Sequence, residues 1–183
     1  MTIQYSQANW NGKKVILGDT GLKPDGPVHL LLGFHGADST PENMVVYGNQ
    51  LDVPHALLVY PEGPVDAGEG VWSWWQDGPR QKEAIPEFLD YASQMIDQAR
   101  RHLQAAVPNA EVRTSLWGYS QGGAASLVYA LLGRHRLHKV ASVCGFLPEI
   151  PEDLTPNGSP ASILGIYGAN DPVVPSFLAD YAL

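Results

Sequence analysis

Two hydrophobic rhythms alternate along the chain. Residues 30–34, 56–60, 140–146 and 163–167 form short continuous apolar runs, each bounded by turn residues. A fifth segment, 112–117, is apolar only at alternate early positions and ends at Gly118. Runs of this length suit strands buried on both faces, which belong to parallel sheets covered by helices. Residues 15–17 read as a weaker edge strand. Between the runs the period lengthens. Ile85, Phe88, Leu89, Ala92, Ile96, Ala99 and Leu103 share one side of a helical projection, with Asp90, Gln94, Asp97 and Arg101 opposite. This predicts an amphipathic helix over 85–103 with one wet side. Residues 124–132 are apolar nearly all round and stop at Gly133, predicting a buried helix. The alternation predicts an open, mostly parallel α/β sheet with right-handed crossovers and helices on both faces. Two polar Gly/Pro-rich loops, 61–79 and 148–160, lie where such sheets place substrate contacts.

Composition narrows the class. A chain of 183 residues suffices for one domain, spanning 1–183, and is too short for two ordinary ones. A formal charge of −8, with no Lys/Arg run to reverse it locally, disfavours nucleic acid or an anionic membrane as partner. No apolar stretch approaches the ~20 residues of a membrane span. The polar segment 1–10 lacks the basic-then-apolar pattern of a signal peptide. One cysteine, Cys144, excludes an internal disulfide and a thiolate metal cluster, and fits a reducing cytoplasm. It falls in an expected buried strand and reads as inert core.

The chemistry concentrates after the 112–117 strand, in Gly118-Tyr119-Ser120-Gln121-Gly122-Gly123. This is G-x-S-x-G between a strand and a helix, the setting in which a serine becomes a nucleophile. So sharp a bend forces Ser120 into a strained conformation, and side chains two residues either side of it would strike the strand and helix. The bend raises the hydroxyl and sets the helix N-terminus beneath the reacting carbon. An incidental serine in a Gly-rich turn is the bland alternative.

The 30–34 strand runs into His35-Gly36-Ala37-Asp38-Ser39-Thr40. A His-Gly at the end of an early central strand is a place for an oxyanion donor, and the expected donors are the Ala37 and Gln121 N–H groups. Gly36 is expected to allow close approach, and His35 to brace the loop. Asp38 is expected to organise the turn and cap a short helix from Pro41. The 163–167 strand ends in Gly168-Ala169-Asn170-Asp171-Pro172-Val173-Val174-Pro175. Asp171, following Ser120 in the chain, would be the acid that orients an imidazole; an Asp-Pro helix start is its alternative. No histidine follows it. His29, His35, His55, His102, His135 and His138 all precede it, none within expected reach of Ser120. The sequence ends at Leu183 in what reads as a helix from Ser176, so the domain is expected to be C-terminally incomplete. The alternatives are a histidine supplied by another chain, or a genuine loss of the base.

Phe34-His35-Gly36, the Ser120 elbow and residues 167–175 together resemble the phospholipase/carboxylesterase family of small α/β-hydrolases, which includes acyl-protein thioesterases. The resemblance covers nearly the whole chain. It implies an α/β-hydrolase fold and cofactor-free hydrolysis of short- to medium-chain esters or thioesters. Two departures stand out. Ala37 is followed directly by Asp38 where the family usually has another glycine, and the terminal Gly-His segment is absent. The expected mechanism is acyl transfer through Ser120 and Asp171 with an oxyanion held by Ala37 and Gln121. Val71-Trp72-Ser73-Trp74-Trp75 suits an apolar pocket wall, with Trp72, Trp75 and Tyr119 as candidate substrate contacts; a satellite core is the alternative for the tryptophans. The partner is a small ester or thioester, with no metal, and a homodimer is compatible with the sequence. The rival function is a relative that binds a small apolar ligand without turnover.

Overall fold

A computed structural model of the chain describes residues 2–23, 26–78, 80–158, 161–171 and 174. In chain order the strands are β1 (Gln4–Trp10), β2 (Lys13–Asp19), β3 (Val28–Phe34), β4 (Ala56–Pro61), β5 (Val65–Gly68), β6 (Val71–Ser73), β7 (Val112–Tyr119), β8 (Lys139–Val143) and β9 (Ser162–Ile166). The helices are α1 (Pro41–Gly48), α2 (Ile85–Ala106) and α3 (Gln121–Leu132). Seven strands form one sheet in the order β1-β2-β4-β3-β7-β8-β9. β4, β3, β7, β8 and β9 run parallel, while β2 pairs antiparallel with β4 and β1 antiparallel with β2. β5 and β6 make a separate hairpin within the first polar loop.

Burial explains which strands show as apolar runs. β3 and β4 sit between helical layers, and Leu30, Leu32, Ala56, Leu58 and Val59 are fully buried. On one face α2 and α3 cover them through Ile85, Phe88, Ala92, Met95, Ile96, Ala124 and Val128. On the other, Met44 of α1 joins Ile16, Leu58, Tyr60 and Trp117. β2 is not an edge strand, because β1 pairs along its outer side in a seven-residue register. β1 carries a polar sequence with no residue buried, so no apolar rhythm announces it. β8 ends at Val143, short of the 140–146 run. Cys144 lies beyond it in a left-handed conformation (φ 51°) and is half-buried, so it is not strand core.

β9 departs most from expectation. Its apolar run predicts burial on both faces, yet Ile163, Leu164 and Ile166 are 46%, 57% and 50% exposed. Beside it, the α1 face of β7 and β8 opens as an apolar groove of about 720 Å³ lined by Leu31, Trp117, Ala141, Val143, Leu164 and Ile166. The helix expected from Ser176 lies outside the described residues. Among the described residues no helix is long and apolar enough to cross a membrane.

A buried polar chain ties α3 to α2. The Tyr129 hydroxyl lies 2.9 Å from Ser93 Oγ and 2.6 Å from His135 Nδ1, and His135 Nε2 lies 2.9 Å from Asp97 Oδ1. Removing the shared hydroxyl leaves Ser93 without its partner in the core. Tyr129→Phe is therefore expected to lower unfolding stability by about 1–3 kcal/mol, measured as a shifted urea midpoint at unchanged slope.

Candidate active site

β7 ends at Tyr119 and α3 begins at Gln121, so Ser120 alone makes the turn from strand to helix. Its backbone sits at φ 54°, ψ −121°, a region that residues with a Cβ rarely occupy. Two hydrogen bonds hold it there: the Ser120 N–H donates to the Val143 carbonyl at 2.8 Å, and its carbonyl accepts from the Ala124 N–H at 3.0 Å. The flanking glycines are sterically required. A Cβ on Gly118 would stand 2.1 Å from the Gly122 oxygen, and one on Gly122 would stand 2.0 Å from the Phe34 oxygen. α3 starts three residues earlier than its apolar pattern suggests, since Gly122 and Gly123 occupy its first turn.

The strand order reverses between β3 and β7, so the loops that leave these strands diverge and open a crevice at their C-terminal ends. Gly36, Ala37, Tyr119 and Ser120 line this crevice, a cavity of about 440 Å³. Of the two expected oxyanion donors, Ala37 lines the cavity and the buried Gln121 does not; neither N–H has an acceptor among the described residues. The close approach expected at Gly36 falls instead at Gly122. A Cβ on Gly36 would meet Ser120 Cβ at 3.7 Å, an ordinary contact.

The tryptophan segment clamps both sides of this crevice. Ser39 and Trp72 exchange two backbone hydrogen bonds of 3.0 and 2.8 Å. The Asp38 N–H donates to Ser73 Oγ, and Ser73 Oγ donates to Asp38 Oδ1, both at 2.9 Å. Asp38 thus organises the turn as expected, but the helix cap falls at Thr40, which makes no side-chain capping bond. Trp74 Nε1 donates to the His35 carbonyl at 2.7 Å. The Gln121 side chain accepts from the Trp74 N–H at 2.9 Å and donates to the Trp75 carbonyl at 3.1 Å.

Trp72 and Trp75 therefore hold the site from outside it. Trp75 is fully buried against Phe88, and Trp72 lies under the Lys13 ammonium, 4.0 Å from its ring centroid. Neither lines the Ser120 cavity. Its apolar wall comes from Met44, Val46 and Tyr47 of α1 together with Tyr119, and its polar wall from Asp38, Ser39 and Asn43. The α1 wall is absent from the candidates that sequence reasoning yields, although a signal for it exists. Met44-Val45-Val46-Tyr47 is apolar all round in a helix too short to bury every side.

Asp171 lies beyond the end of β9, two strands across the sheet from β7, and is not among the residues lining the cavity. Its Oδ1 accepts the Val174 N–H at 3.0 Å, the pattern of a helix N-cap. Pro172, Val173 and Pro175 lie outside the described residues. His35 is the one histidine that lines the cavity. It is 1% exposed and packs against Trp74, with Nδ1 2.7 Å from the Gly36 carbonyl. His135 is held between Tyr129 and Asp97, and His55 Nδ1 lies 2.8 Å from the Gly21 carbonyl. His29 and His138 face each other at the opposite end of the strands, and His102 lies beside Trp10.

Burial pushes the His35 imidazole down from 6.5 to about 4, against the opposing hydrogen bond to Gly36. Above pH 6.5 the ring is neutral folded or unfolded, and there is no penalty. As pH falls from 6.5 toward 4, the unfolded chain takes up a proton that the folded one refuses. Stability should then fall by about 1.4 kcal/mol per pH unit from this residue. His35→Asn keeps a donor for the Gly36 carbonyl and cannot titrate, so its urea midpoint should change less than that of the unmodified protein between neutral pH and pH 5. Equal changes in the two proteins would remove His35 as the source.

Residues 23–182 match the sequence pattern of the family described as Phospholipase/Carboxylesterase. NocK of Nocardia uniformis subsp. tsuyamanensis, which bears an esterase designation, is 30% identical over 152 residues. That match covers 80% of this chain but 41% of NocK, so the chain spans about two fifths of that relative's length. The Bacillus cereus carboxylesterase superposes with a TM-score of 0.74 at 17% identity, over 94% of this chain and 78% of its own. SOBER1 of Arabidopsis thaliana gives 0.68 at 21% identity, over 86% and 81%. At these identities the likeness is one of fold. With an α/β-hydrolase sheet and a family match over most of its length, the chain belongs to the phospholipase/carboxylesterase family.

Proposed function

We propose that the protein hydrolyses short- to medium-chain carboxylic esters or thioesters by acyl transfer through Ser120. The observation that carries this reading is the Ser120 backbone at φ 54°, ψ −121°, held between two glycines that cannot accept a Cβ. Strain of this kind persists only where the surroundings over-determine it, and it gathers at functional sites. A hydroxyl lifted out of a strand–helix bend faces a carbonyl carbon from one side. The main-chain N–H groups of Ala37 and Gln121, without acceptors among the described residues, receive the oxygen that becomes negative. The N-terminus of α3 adds its positive dipole end under the same atoms.

Ser120 Oγ attacks the carbonyl carbon and its proton passes to an imidazole. The tetrahedral oxyanion collapses with departure of the alcohol or thiol, and water repeats the sequence on the acyl-enzyme. Asp171 accepts the imidazole N–H, fixes its tautomer and stabilises the imidazolium. None of the six histidines in this sequence is placed for that role. His35 lines the cavity, but its Nε2 is buried with no hydrogen-bond partner among the described residues, Ser120 Oγ included, and burial makes the ring a weak base; the other five lie away from the cavity. The acyl-transfer reading therefore requires an imidazole from elsewhere than residues 1–183. The cavity of about 440 Å³ suits a small acyl group. The acidic charge and single half-buried cysteine support a cytoplasmic setting.

The same shortage of a base favours a second reading, a relative that binds a small apolar ligand without turnover. A fluorophosphonate probe applied to the full gene product separates the two. It is expected to label the protein at Ser120, located by peptide mapping, and to leave Ser120→Ala unlabelled. Equal labelling of both proteins would overturn the assignment of Ser120, and no labelling of either would select the binding reading. Where turnover is observed, Asp171→Asn is expected to lower kcat by roughly 10³–10⁴-fold with Ser120 still present.

A further inference from the structure

The large apolar side chains left exposed among the described residues fall into two groups. One lies on and just beyond β9. The other, Val46, Tyr47 and Tyr119, rims the cavity over Ser120, at 65%, 46% and 42% exposure. Tyr47 comes from α1 and Tyr119 from the residue before the proposed nucleophile. Their ring centroids are 5.9 Å apart with the planes tilted by 32°. The two rings therefore form one continuous aromatic surface, anchored on one side by the α1 core residue Met44 and on the other by β7. Asp38, Ser39 and Asn43 also line the cavity, and they are tied together by the Ser73–Asp38 and Asn43–Ser39 hydrogen bonds.

We propose that Tyr47 and Tyr119 form a subsite for a flat aromatic group in the acyl or alcohol part of the substrate. This rests on Ser120 as the nucleophile and narrows the ester class. A ring laid on two tilted rings gains edge and face contacts beyond the burial of area. A linear chain of equal carbon number covers less of that surface. The site differs from a tryptophan-lined pocket, because the tryptophans of residues 72–75 are turned to the core or to Lys13. The Tyr119 backbone is held by its pairing with Val143 in β8, so this part of the aromatic surface starts from the residue directly before Ser120.

The test uses turnover and binding together. Methyl phenylacetate places the ring in the acyl part and phenyl acetate in the alcohol part; methyl octanoate and methyl acetate are the linear references. Tyr47→Ala is expected to reduce kcat/KM at least tenfold for whichever aryl ester the protein prefers, and less than twofold for methyl acetate. Tyr47→Phe should retain the preference. Equal losses on all four esters, or a linear preference in the unmodified protein, would overturn the subsite while leaving Ser120 in place. Binding of phenylacetamide to Ser120→Ala, followed by NMR, gives an answer independent of turnover. It is expected to exceed octanamide binding and to weaken at least fivefold when Tyr47→Ala is added. No saturable phenylacetamide binding would overturn the proposal whether or not Ser120 is a nucleophile.

Discussion

The site depends on one close approach, that of Gly122 to the end of β3. The first turn of α3 comes so near the Phe34 and His35 carbonyls that a single added carbon would stand 2.0 and 2.4 Å from their oxygens. Because α3 is pressed against β3 there, the chain leaving β7 has one residue in which to reverse direction, and that residue is Ser120. The strain at Ser120 is thus a consequence of helix–strand packing, and it is stabilised by the burial of α3 from Gln121 to Ala130. The same approach brings the α3 N-terminus beside the loop that follows β3. Two segments far apart in sequence therefore meet at one cavity, which Ala37 and Ser120 both line.

Packing alone would leave the loop after β3 free to move, and the tryptophan segment prevents this. Ser39 is paired with Trp72 and Asp38 with Ser73, while the His35 carbonyl accepts from Trp74. Gln121, the residue after Ser120, reaches out from α3 to the main chain of Trp74 and Trp75. The segment thus links the loop after β3 to the start of α3. Losing one member of a buried pair in this link would leave the other desolvated and unpaired. Trp74 suits this task because its body fills core space while its indole N–H stays at the site. Trp74 is 1% exposed and still donates to the His35 carbonyl.

Legibility followed burial. β3 and β4 were readable because both of their faces are covered, which leaves a continuous apolar run. The elbow was readable because its glycines answer to local clashes, and local sterics are written in adjacent residues. β1 was hidden because none of its residues is fully buried: Tyr5, Ala8 and Trp10 only lean on the core at irregular spacing, and pairing with β2 supplies the rest. The tryptophans were ambiguous for the opposite reason. A cluster of apolar rings satisfies a core and a pocket equally well, and only the position of α2 decides between them. The contact of Gln121 with a segment 46 and 47 residues away left no periodic trace. The α1 wall was missed because a short apolar helix normally signals core, whereas here Val46 and Tyr47 face the cavity.

The parts of the proposed site do not share one level of stability. Ser120, Ala37 and Gln121 belong to elements locked by the central sheet, α3 and the tryptophan segment. Asp171 follows β9, which pairs with β8 along one edge and has most of its side chains exposed. Opening free energies rise with buried contacts, so β9 should separate from the sheet before β7 or β3 does. The Cys144 N–H, donating to the Ile166 carbonyl at 2.7 Å, is among the bonds that must break first. The proposed nucleophile and oxyanion donors would then stay assembled in states where Asp171, the proposed acid, has already lost its place. Cover supplied to the exposed face of β9 would act on the acid rather than on the nucleophile, and would tune the orientation of the base while leaving the strained serine unchanged.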